Sequence, residues 1–135
     1  MTKLRIIKVN ERNLNIALEN NIWGRKRGGY KDWEKGDYLL FIVDNTVAGL
    51  AMVDGKPFKS EDIYWEDDLY PNRIPIKTIN KFETKNRISF LEKIKPILVE
   101  EWGKGFGWKI LTQQAMTGKR SDYVYELCGH THHKK

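Results

Sequence analysis

Apolar residues fall in short runs separated by polar segments, and the first runs predict a strand followed by a helix. From Leu4 to Val9 apolar side chains occupy both parities, which is typical of a strand covered on both faces. Asn10 and Asn13 are both candidates for the N-cap of the next helix, whose apolar stripe runs from Leu14 to Leu18. That helix is expected to end at Asn20-Asn21.

The next apolar runs predict a β-hairpin in the middle of the chain. Tyr38–Val43 is a continuous apolar run of the buried kind, Asp44-Asn45 forms a turn, and Thr46–Val53 returns as the partner strand. Gly49 lies inside the return strand, where glycine indicates a bulge or the close approach of another backbone.

The second half of the chain predicts one more strand and then helices. In the predicted strand Arg73–Ile79, Pro75 indicates an edge or a bulge, because proline donates no ladder hydrogen bond. Ser89–Trp102 carries apolar residues at helical spacing, with a break or restart at Pro96. A last helix is expected over Ser121–Leu127, so the fold class is α+β, a mixed sheet flanked by short helices.

Composition is that of one globular domain, which we place at residues 1–127, with a flexible tail at residues 128–135. Of the 135 residues, 24 are Lys or Arg and 18 are Asp or Glu, a net charge of +6. This balance favours a polyanionic partner such as nucleic acid, although a solvated basic surface is the alternative. There is no apolar run of membrane-spanning length and no signal-peptide pattern, so no membrane partner is expected. The single cysteine, Cys128, favours a reducing, cytoplasmic setting.

Two long polar segments, residues 24–36 and 56–72, interrupt the regular pattern. Loops of this length in a small domain are usually functional or disordered. Large aromatic side chains on loops of a basic chain suggest the walls of a pocket for a flat ligand, whereas the alternative for any single tryptophan is core packing. We assign Trp102 and Trp108 to packing stretches. The aromatic residues assigned to loops are Trp23, Tyr30, Tyr64 and Trp65.

Other candidate chemistry has simpler interpretations. Gly103–Gly107 lacks the spacing of a phosphate-binding loop, so we interpret it as a flexible link. Glu66–Asp68 contains cation-binding residue types but is interpreted as a solvated turn. No nucleophile–base set or acid–base carboxylate pair is apparent, so we expect no catalytic residue, cofactor or metal. The metal-ligand types near the end are assigned to the tail: Cys128, His130, His132 and His133.

The residues resemble an EVE domain over nearly the whole chain, roughly Leu4 to Leu127. EVE domains are similar in fold to YTH and PUA domains, so the resemblance implies a β-barrel-like sheet flanked by helices. It also implies recognition of a modified base, since YTH domains read N6-methyladenine in an aromatic cage and some EVE-like domains read modified DNA for restriction endonucleases. The segments that carry the resemblance are Asn21-Ile22-Trp23-Gly24, Gly36-Asp37, Ala48-Gly49, Ile63-Tyr64-Trp65, Tyr70-Pro71-Asn72-Arg73-Ile74, Ala115-Met116 and Asp122-Tyr123.

By this resemblance, two tryptophans stack on a flipped base and an asparagine at the entry to the first helix bonds its polar edge. Gly24 stands where YTH domains carry a serine, which leaves 5-methylcytosine and 5-hydroxymethylcytosine open beside N6-methyladenine. Tyr64 would supply a third wall, and the register of the asparagine stays open. The residues assigned to the base are therefore Trp23, Trp65, Asn10, Asn13, Tyr64 and Gly24.

Cationic residues next to the cage are the candidates for flanking phosphates. The expected partner is nucleic acid carrying a modified base, with DNA favoured over RNA, and with a nuclease or motor as a further partner. Two alternatives stay open: a small PUA-like enzyme that hydrolyses a modified nucleoside, and a scaffold that binds a protein through its aromatic loops. The phosphate-binding candidates are Arg25, Lys26 and Arg27, followed by Lys81, Lys85 and Arg87.

Overall fold

Residues 2–129, the part of the chain that the computed structural model describes, form a mixed eight-stranded sheet with short helices on both faces. The sheet curls into a half-barrel, which agrees with the predicted α+β class and its barrel-like sheet. The strands are β1 (Lys3–Lys8), β2 (Ile22–Arg25), β3 (Tyr38–Val43), β4 (Thr46–Val53), β5 (Phe58–Lys59), β6 (Asn72–Lys81), β7 (Ile88–Ser89) and β8 (Ala115–Thr117). The helices are α1 (Glu11–Asn20), α2 (Lys95–Trp102), α3 (Phe106–Leu111) and α4 (Lys119–Cys128), with a π-helical turn at Phe90–Ile94 and 3-10 turns at Thr84–Asn86 and Gly103–Gly105.

The predicted hairpin is the centre of the sheet, whose strand order is β2-β6-β4-β3-β1-β8. β3 and β4 are antiparallel, and β1 lies parallel to β3 on its other side. A register shift between Phe41 and Ile42 leaves Ala48 as the extra residue beside Gly49, which confirms the predicted bulge. Short strands β5 and β7 add to β6 and β4 and were not predicted.

Pro75 occupies a switch point rather than an edge. The first half of β6 pairs with β2 and its second half pairs with β4. Pro75 pairs with Ile22, and the next residue, Ile76, is already opposite Val53 on β4. Because proline donates no ladder hydrogen bond, the position where the strand changes partners tolerates it.

Apolar residues of both parities are buried because the two faces of the sheet carry separate cores. On β1, Leu4 and Ile6 join the core under α2 to α4, whereas Ile7 joins the core under α1. On β3, Leu40 and Ile42 face the first of these cores and Leu39, Phe41 and Val43 face the other. The pattern predicted for β1 is therefore confirmed, and each strand contributes to two cores by simple alternation.

Three assignments from the sequence are corrected by the structure. Trp23 lies within β2 and not in a loop. Gly103–Gly107, expected to be a flexible link, forms a 3-10 turn and the start of α3. Trp108, assigned to packing, is 64% exposed on that helix. The helices of this region are too short for their apolar residues to be classified by periodicity.

The last helix begins earlier and ends later than expected. α4 includes Cys128, which is buried and which we had placed in the tail. Its carbonyl accepts a hydrogen bond of 3.1 Å from the side-chain amide of Asn80. The histidines at positions 130, 132 and 133 lie outside the described residues. Within residues 2–129, no helix combines the length and the apolar character needed to cross a membrane.

Candidate functional site

The site begins where β1 passes into α1. Asn10 is the N-cap: its Oδ1 accepts from the backbone N–H of Asn13 at 2.8 Å. This satisfies one of the free amide groups of the first helical turn and fixes the entry of the helix. This hydrogen bond identifies Asn10, and not Asn13, as the cap. Both asparagines line the same cavity.

The far end of α1 delivers the first tryptophan. Asn21 closes the helix in the left-handed conformation (φ 57°), and its N–H donates to the carbonyl of Ala17. β2 then starts at once, and Trp23 pairs with Ile74 on β6. Its ring lies 5.4 Å from the ring of Phe41, tilted by 55°. A helix cap and a ladder position together hold this indole, and its Nε1 has no hydrogen-bond partner within residues 2–129.

The second tryptophan comes from the long segment between β5 and β6. The indole N–H of Trp65 donates to the carbonyl of Asn13 at 3.1 Å. The ring of Tyr70 meets it edge to face, with centroids 5.4 Å apart. A Cβ added to Gly24 would lie 3.0 Å from two Trp65 ring atoms and 2.9 Å from Tyr70 Cβ. Glycine at this position therefore lets β2 lie directly against the indole, a role that the sequence alone did not reveal.

A buried arginine organises the segment that carries Trp65. Arg73, 1% exposed, donates to the carbonyls of Asp62, Leu69 and Tyr70, the last two at 3.1 Å. Its guanidinium also lies 5.1 Å from the Tyr64 ring and 5.5 Å from the Trp65 ring. One side chain thus supplies hydrogen-bond donors to three carbonyls that have no partner in a sheet or helix. The segment that carries Trp65 is therefore held in a defined conformation.

Asp67 ties this wall to α1. Its carboxylate accepts from the hydroxyl of Tyr70 at 2.7 Å and from the side-chain amide of Asn13 at 3.0 Å. The Tyr70 hydrogen bond is the main cause that lowers the pKa of Asp67. Burial, followed by the bond to Asp67, raises the pKa of Tyr70 to about 12. Asp67 belongs to the acidic run interpreted as a solvated turn, and it is exposed, as that interpretation expects, while it also bonds to Tyr70 and Asn13.

These elements enclose one cavity of about 680 Å³, with both indoles in its wall. Trp23 is 8% exposed and Trp65 is 3% exposed, so their neighbours hold both rings in place. A purine fits within such a volume. The lining residues are Lys8, Val9, Asn10, Asn13, Trp23, Gly24, Arg25, Lys26, Arg27, Asp44, Trp65, Asp67, Tyr70, Leu111 and Gln113.

The cavity wall is basic. It contains four cationic and two acidic residues, and one of the cations, Lys26, pairs with Asp68 just outside at 3.2 Å. The Arg25 guanidinium lies over the rings of Tyr30 and Trp33, at 5.4 and 5.6 Å. Burial lowers the pKa of Arg25, and the neighbouring Arg5 acts in the same direction. An anion at the mouth of the cavity would be attracted by this excess of positive charge.

Four of the proposed ligand residues lie elsewhere, and one of them is Lys81, at the end of β6 and outside the lining of the cavity. Tyr64 is outside the lining of this cavity and stacks near Arg73 instead. Arg87 donates to both carboxylate oxygens of Glu11, at 2.7 and 2.8 Å, and this hydrogen bond is the main cause that raises its pKa. Lys85 lies in the 3-10 turn before it and is also absent from the lining. Lys8, Tyr70, Leu111 and Gln113 line the cavity without having been selected, because no local pattern distinguishes them.

Comparison with known proteins places the fold among YTH domains. The chain resembles the solved Mmi1 YTH domain with a TM-score of 0.66 at 18% identity, over 93% of this chain and 94% of that chain. It resembles the Pho92 YTH domain in complex with N6-methyladenosine with a TM-score of 0.67 at 16% identity, over 96% and 84%. It also resembles the YTH domain of Zygosaccharomyces rouxii MRB1 in complex with N6-methyladenosine RNA, with a TM-score of 0.63 at 16% identity, over 93% and 86%.

No family model matches the sequence, and no curated protein matches it either. At identities of this size the likeness establishes the fold and nothing finer. The predicted PUA-like architecture is thus confirmed through its YTH-type form, while membership of the EVE family stays a prediction. The two tryptophans, which are distant in the sequence, meet at one cavity within that fold.

Proposed function

We propose that this protein is a reader of a modified base in single-stranded RNA, with N6-methyladenosine as the first candidate, and that it binds without catalysis. The observation that carries the proposal is the convergence of Trp23 and Trp65 on one basic cavity. An extruded base that stacks on these indoles gains about 1–3 kcal/mol. A methyl group adds apolar contact that an unmodified base lacks.

The polar edge of the base would meet the start of α1. The side chains of Asn10 and Asn13 both reach the cavity, and each already has one partner: Asn10 Oδ1 is used by the helix cap and Asn13 Nδ2 by Asp67. The groups left for a ligand are the Asn10 amide N–H₂ and the Asn13 Oδ1. The fixed orientation of both side chains makes the site selective, because a base that mismatches them leaves buried polar groups unpaired.

RNA takes precedence over DNA in this proposal, which reverses the preference drawn from the sequence. The similar solved structures that name a nucleic acid name RNA. No comparison favours DNA, a restriction system or a nuclease or motor partner. DNA of the same sequence and 5-methylcytosine are therefore comparison ligands in the test. Arg25, Lys26 and Arg27 are proposed to hold the phosphates beside the base, since all three line the cavity.

Calorimetric titration with short single-stranded oligonucleotides tests the proposal. RNA carrying one N6-methyladenosine should bind at least about 10-fold more tightly than the unmethylated RNA. Trp65→Leu should remove most of this difference, whereas Tyr123→Leu, an exposed aromatic on α4 outside the cavity, should not change it. Thermal unfolding of each variant shows that it is folded during the titration.

Two results would overturn the proposal. The first is equal affinity for methylated and unmethylated oligonucleotides of every type tested. The second is a methylation-dependent gain that persists in folded Trp23→Leu and Trp65→Leu. A preference for methylated DNA or for 5-methylcytosine would support a modified-base site in the aromatic cavity but would change the ligand assigned to it.

A further inference from the structure

A second cavity of about 440 Å³ lies against the first and shares two of its residues, Arg25 and Gln113. Its other walls come from β1, from the segment before β3 and from the residues between α3 and β8. Because Arg25 and Gln113 line both cavities, the two cavities are adjacent. The lining residues are Lys3, Arg5, Arg25, Gly29, Lys31, Asp32, Trp33, Thr112, Gln113, Gln114 and Ala115.

The second cavity is more strongly basic than the first, with four cationic residues and one acidic residue in its lining. Arg5 is fully engaged, since its guanidinium donates to the Asp37 carboxylate at 2.8 Å and to the carbonyls of Asp32 and Gln113 at 2.9 and 3.0 Å. Lys3 donates to the same Asp32 carbonyl at 2.6 Å. These bonds build the floor of the cavity and leave its remaining cations for a ligand.

Arg25 and Lys31 are those remaining cations. Within residues 2–129 neither makes an ion pair. The Arg25 guanidinium donates to the carbonyl of Gly29 and stands between the two cavities. A phosphodiester at this position would give the guanidinium the charged partner that it lacks and would link a group in one cavity to a group in the other.

Gln113 is the other residue that lines both cavities, and its backbone adopts a rare conformation. Its φ of 55° is left-handed, a region that non-glycine residues seldom adopt outside special sites. Among residues 2–129 its Oε1 has no hydrogen-bond partner. Gln113 and Trp33 line the same cavity, and together an amide and an indole suit the polar edge and the flat face of a nucleobase.

We propose that the second cavity binds the nucleotide next to the modified base, with Arg25 on the phosphate that joins the two. The inference rests on the proposed function and extends it: recognition covers a dinucleotide step rather than an isolated base. The cage reads the modification, and the second cavity adds affinity for the neighbour through Lys31, Trp33 and Gln113.

A ligand series separates the two cavities. The probes are the N6-methyladenosine nucleoside, its 3′,5′-bisphosphate, and the two dinucleotides in which a neighbour with a terminal phosphate extends the 5′ or the 3′ side. Binding is followed by chemical-shift titration, which detects weak ligands. One of the two dinucleotides should bind at least about 10-fold more tightly than the bisphosphate, because it adds a stacked base and a phosphate contact.

Variants assign that gain to the second cavity. Lys31→Ala should weaken the favoured dinucleotide about fivefold and lower the slope of log affinity against log salt by about 0.7, with no change for the nucleoside. Lys35→Ala is the matched control, an exposed lysine of the same segment outside both cavities. Trp33→Leu should likewise reduce the dinucleotide gain alone.

The outcomes distinguish the two proposals. If the nucleoside and every methylated probe bind no better than their unmethylated forms, the proposed function fails. If the methylated nucleoside binds but neither dinucleotide exceeds the bisphosphate, only the second cavity is refuted. A dinucleotide gain that survives both Lys31→Ala and Trp33→Leu also refutes it.

Discussion

The two faces of the sheet are built in different ways. The face under α2 to α4 is closed by helices, and its core combines the buried rings of Phe82 and Phe90 with aliphatic side chains. Leu4, Leu40 and Leu50 in this core are completely buried. The other face is covered by α1 and two long non-regular segments, and its core contains Trp23, Trp65 and other aromatic rings. Both cavities of the proposed site open on this second side.

The difference shows that buried non-regular segments need hydrogen-bond partners from outside their own backbone. A helix satisfies its own backbone groups, but a buried loop must find partners for them elsewhere. On the cavity side two buried arginines supply these partners: Arg73 binds three carbonyls of the Trp65 segment, and Arg5 binds the carbonyls of Asp32 and Gln113. The walls of the proposed site therefore depend on these two buried cations.

Disrupting the core under α2 to α4 should have the largest effect on stability and none on the preference for the methylated ligand. Leu40→Ala removes a completely buried side chain and should lower the free energy of unfolding by about 3 kcal/mol or more. Denaturant titration measures this, and Leu91→Ala, which is exposed, should change it by less than about 0.5 kcal/mol. The ratio of affinities for methylated and unmethylated RNA should be unchanged in folded Leu40→Ala. A loss of that ratio would show that the two faces are coupled.

Removing the arginine behind the Trp65 segment should act locally. Arg73→Met keeps an apolar stem but leaves three carbonyls unpaired, at a cost of about 2–3 kcal/mol. Hydrogen exchange should rise in residues 60–71 before it rises in β3 and β4. Arg12→Met, which breaks only the exposed pair with Glu66, serves as the control. Uniform destabilisation without a local rise would contradict the role assigned to Arg73.

A methyl group on Gly24 should displace the second indole. The Cβ of Gly24→Ala would lie about 3.0 Å from the Trp65 ring, and we expect a loss of about 1–2 kcal/mol of stability and a change in tryptophan fluorescence. Affinity for the methylated ligand should fall with it. Gly105→Ala is the matched control, because nothing lies within 4 Å of an added Cβ there and Gly105 lines neither cavity. Unchanged fluorescence in Gly24→Ala would mean that the indole is not held by this contact.

The smallest expected effect is a pH dependence of stability that arises from the hydrogen bonds of Asp67 to Tyr70 and Asn13. The folded-state pKa of Asp67 is lowered from 3.8, chiefly by the Tyr70 hydroxyl, so its contribution is present above that value and is lost as the pH falls through the folded-state pKa. Asp67→Asn should lower stability by a few tenths of a kcal/mol at pH 7, because the carboxylate is exposed and screened. The difference between wild type and variant should shrink in thermal scans as the pH falls below 3.8 and through the lowered pKa of Asp67. Glu61→Gln, in the same segment, should show no such convergence.

Much of the sheet could be predicted from local pattern. Alternation on β1, the apolar run of β3 and the glycine of β4 each indicated the element that the structure contains, because strand burial repeats every two residues. The short strand β8 and the helix α3 were missed, since elements of three to six residues show too few repeats to be recognised.

The site was predictable only in part. The resemblance selected Trp23 and Trp65, and both line the same cavity, but it also selected Tyr64, which lies outside that lining. Arg87, chosen as a cationic residue, is paired with Glu11 instead. Arg73 was quoted only as part of a motif. Its role as the partner of three carbonyls has no local sequence signal, because the contacts depend on how a non-regular segment folds back over β6.

The order of residues was enough to establish a mixed sheet with both faces covered, a basic surface and the aromatic side chains available for a ligand. Periodicity and charge are properties of neighbouring residues, and they can be counted along the chain. Folding alone decided that indoles 42 positions apart would share a cavity, that a glycine would make room for one of them and that Arg25 would stand between two cavities. Those facts depend on long-range contacts between polar loop groups, whose partners no local pattern specifies.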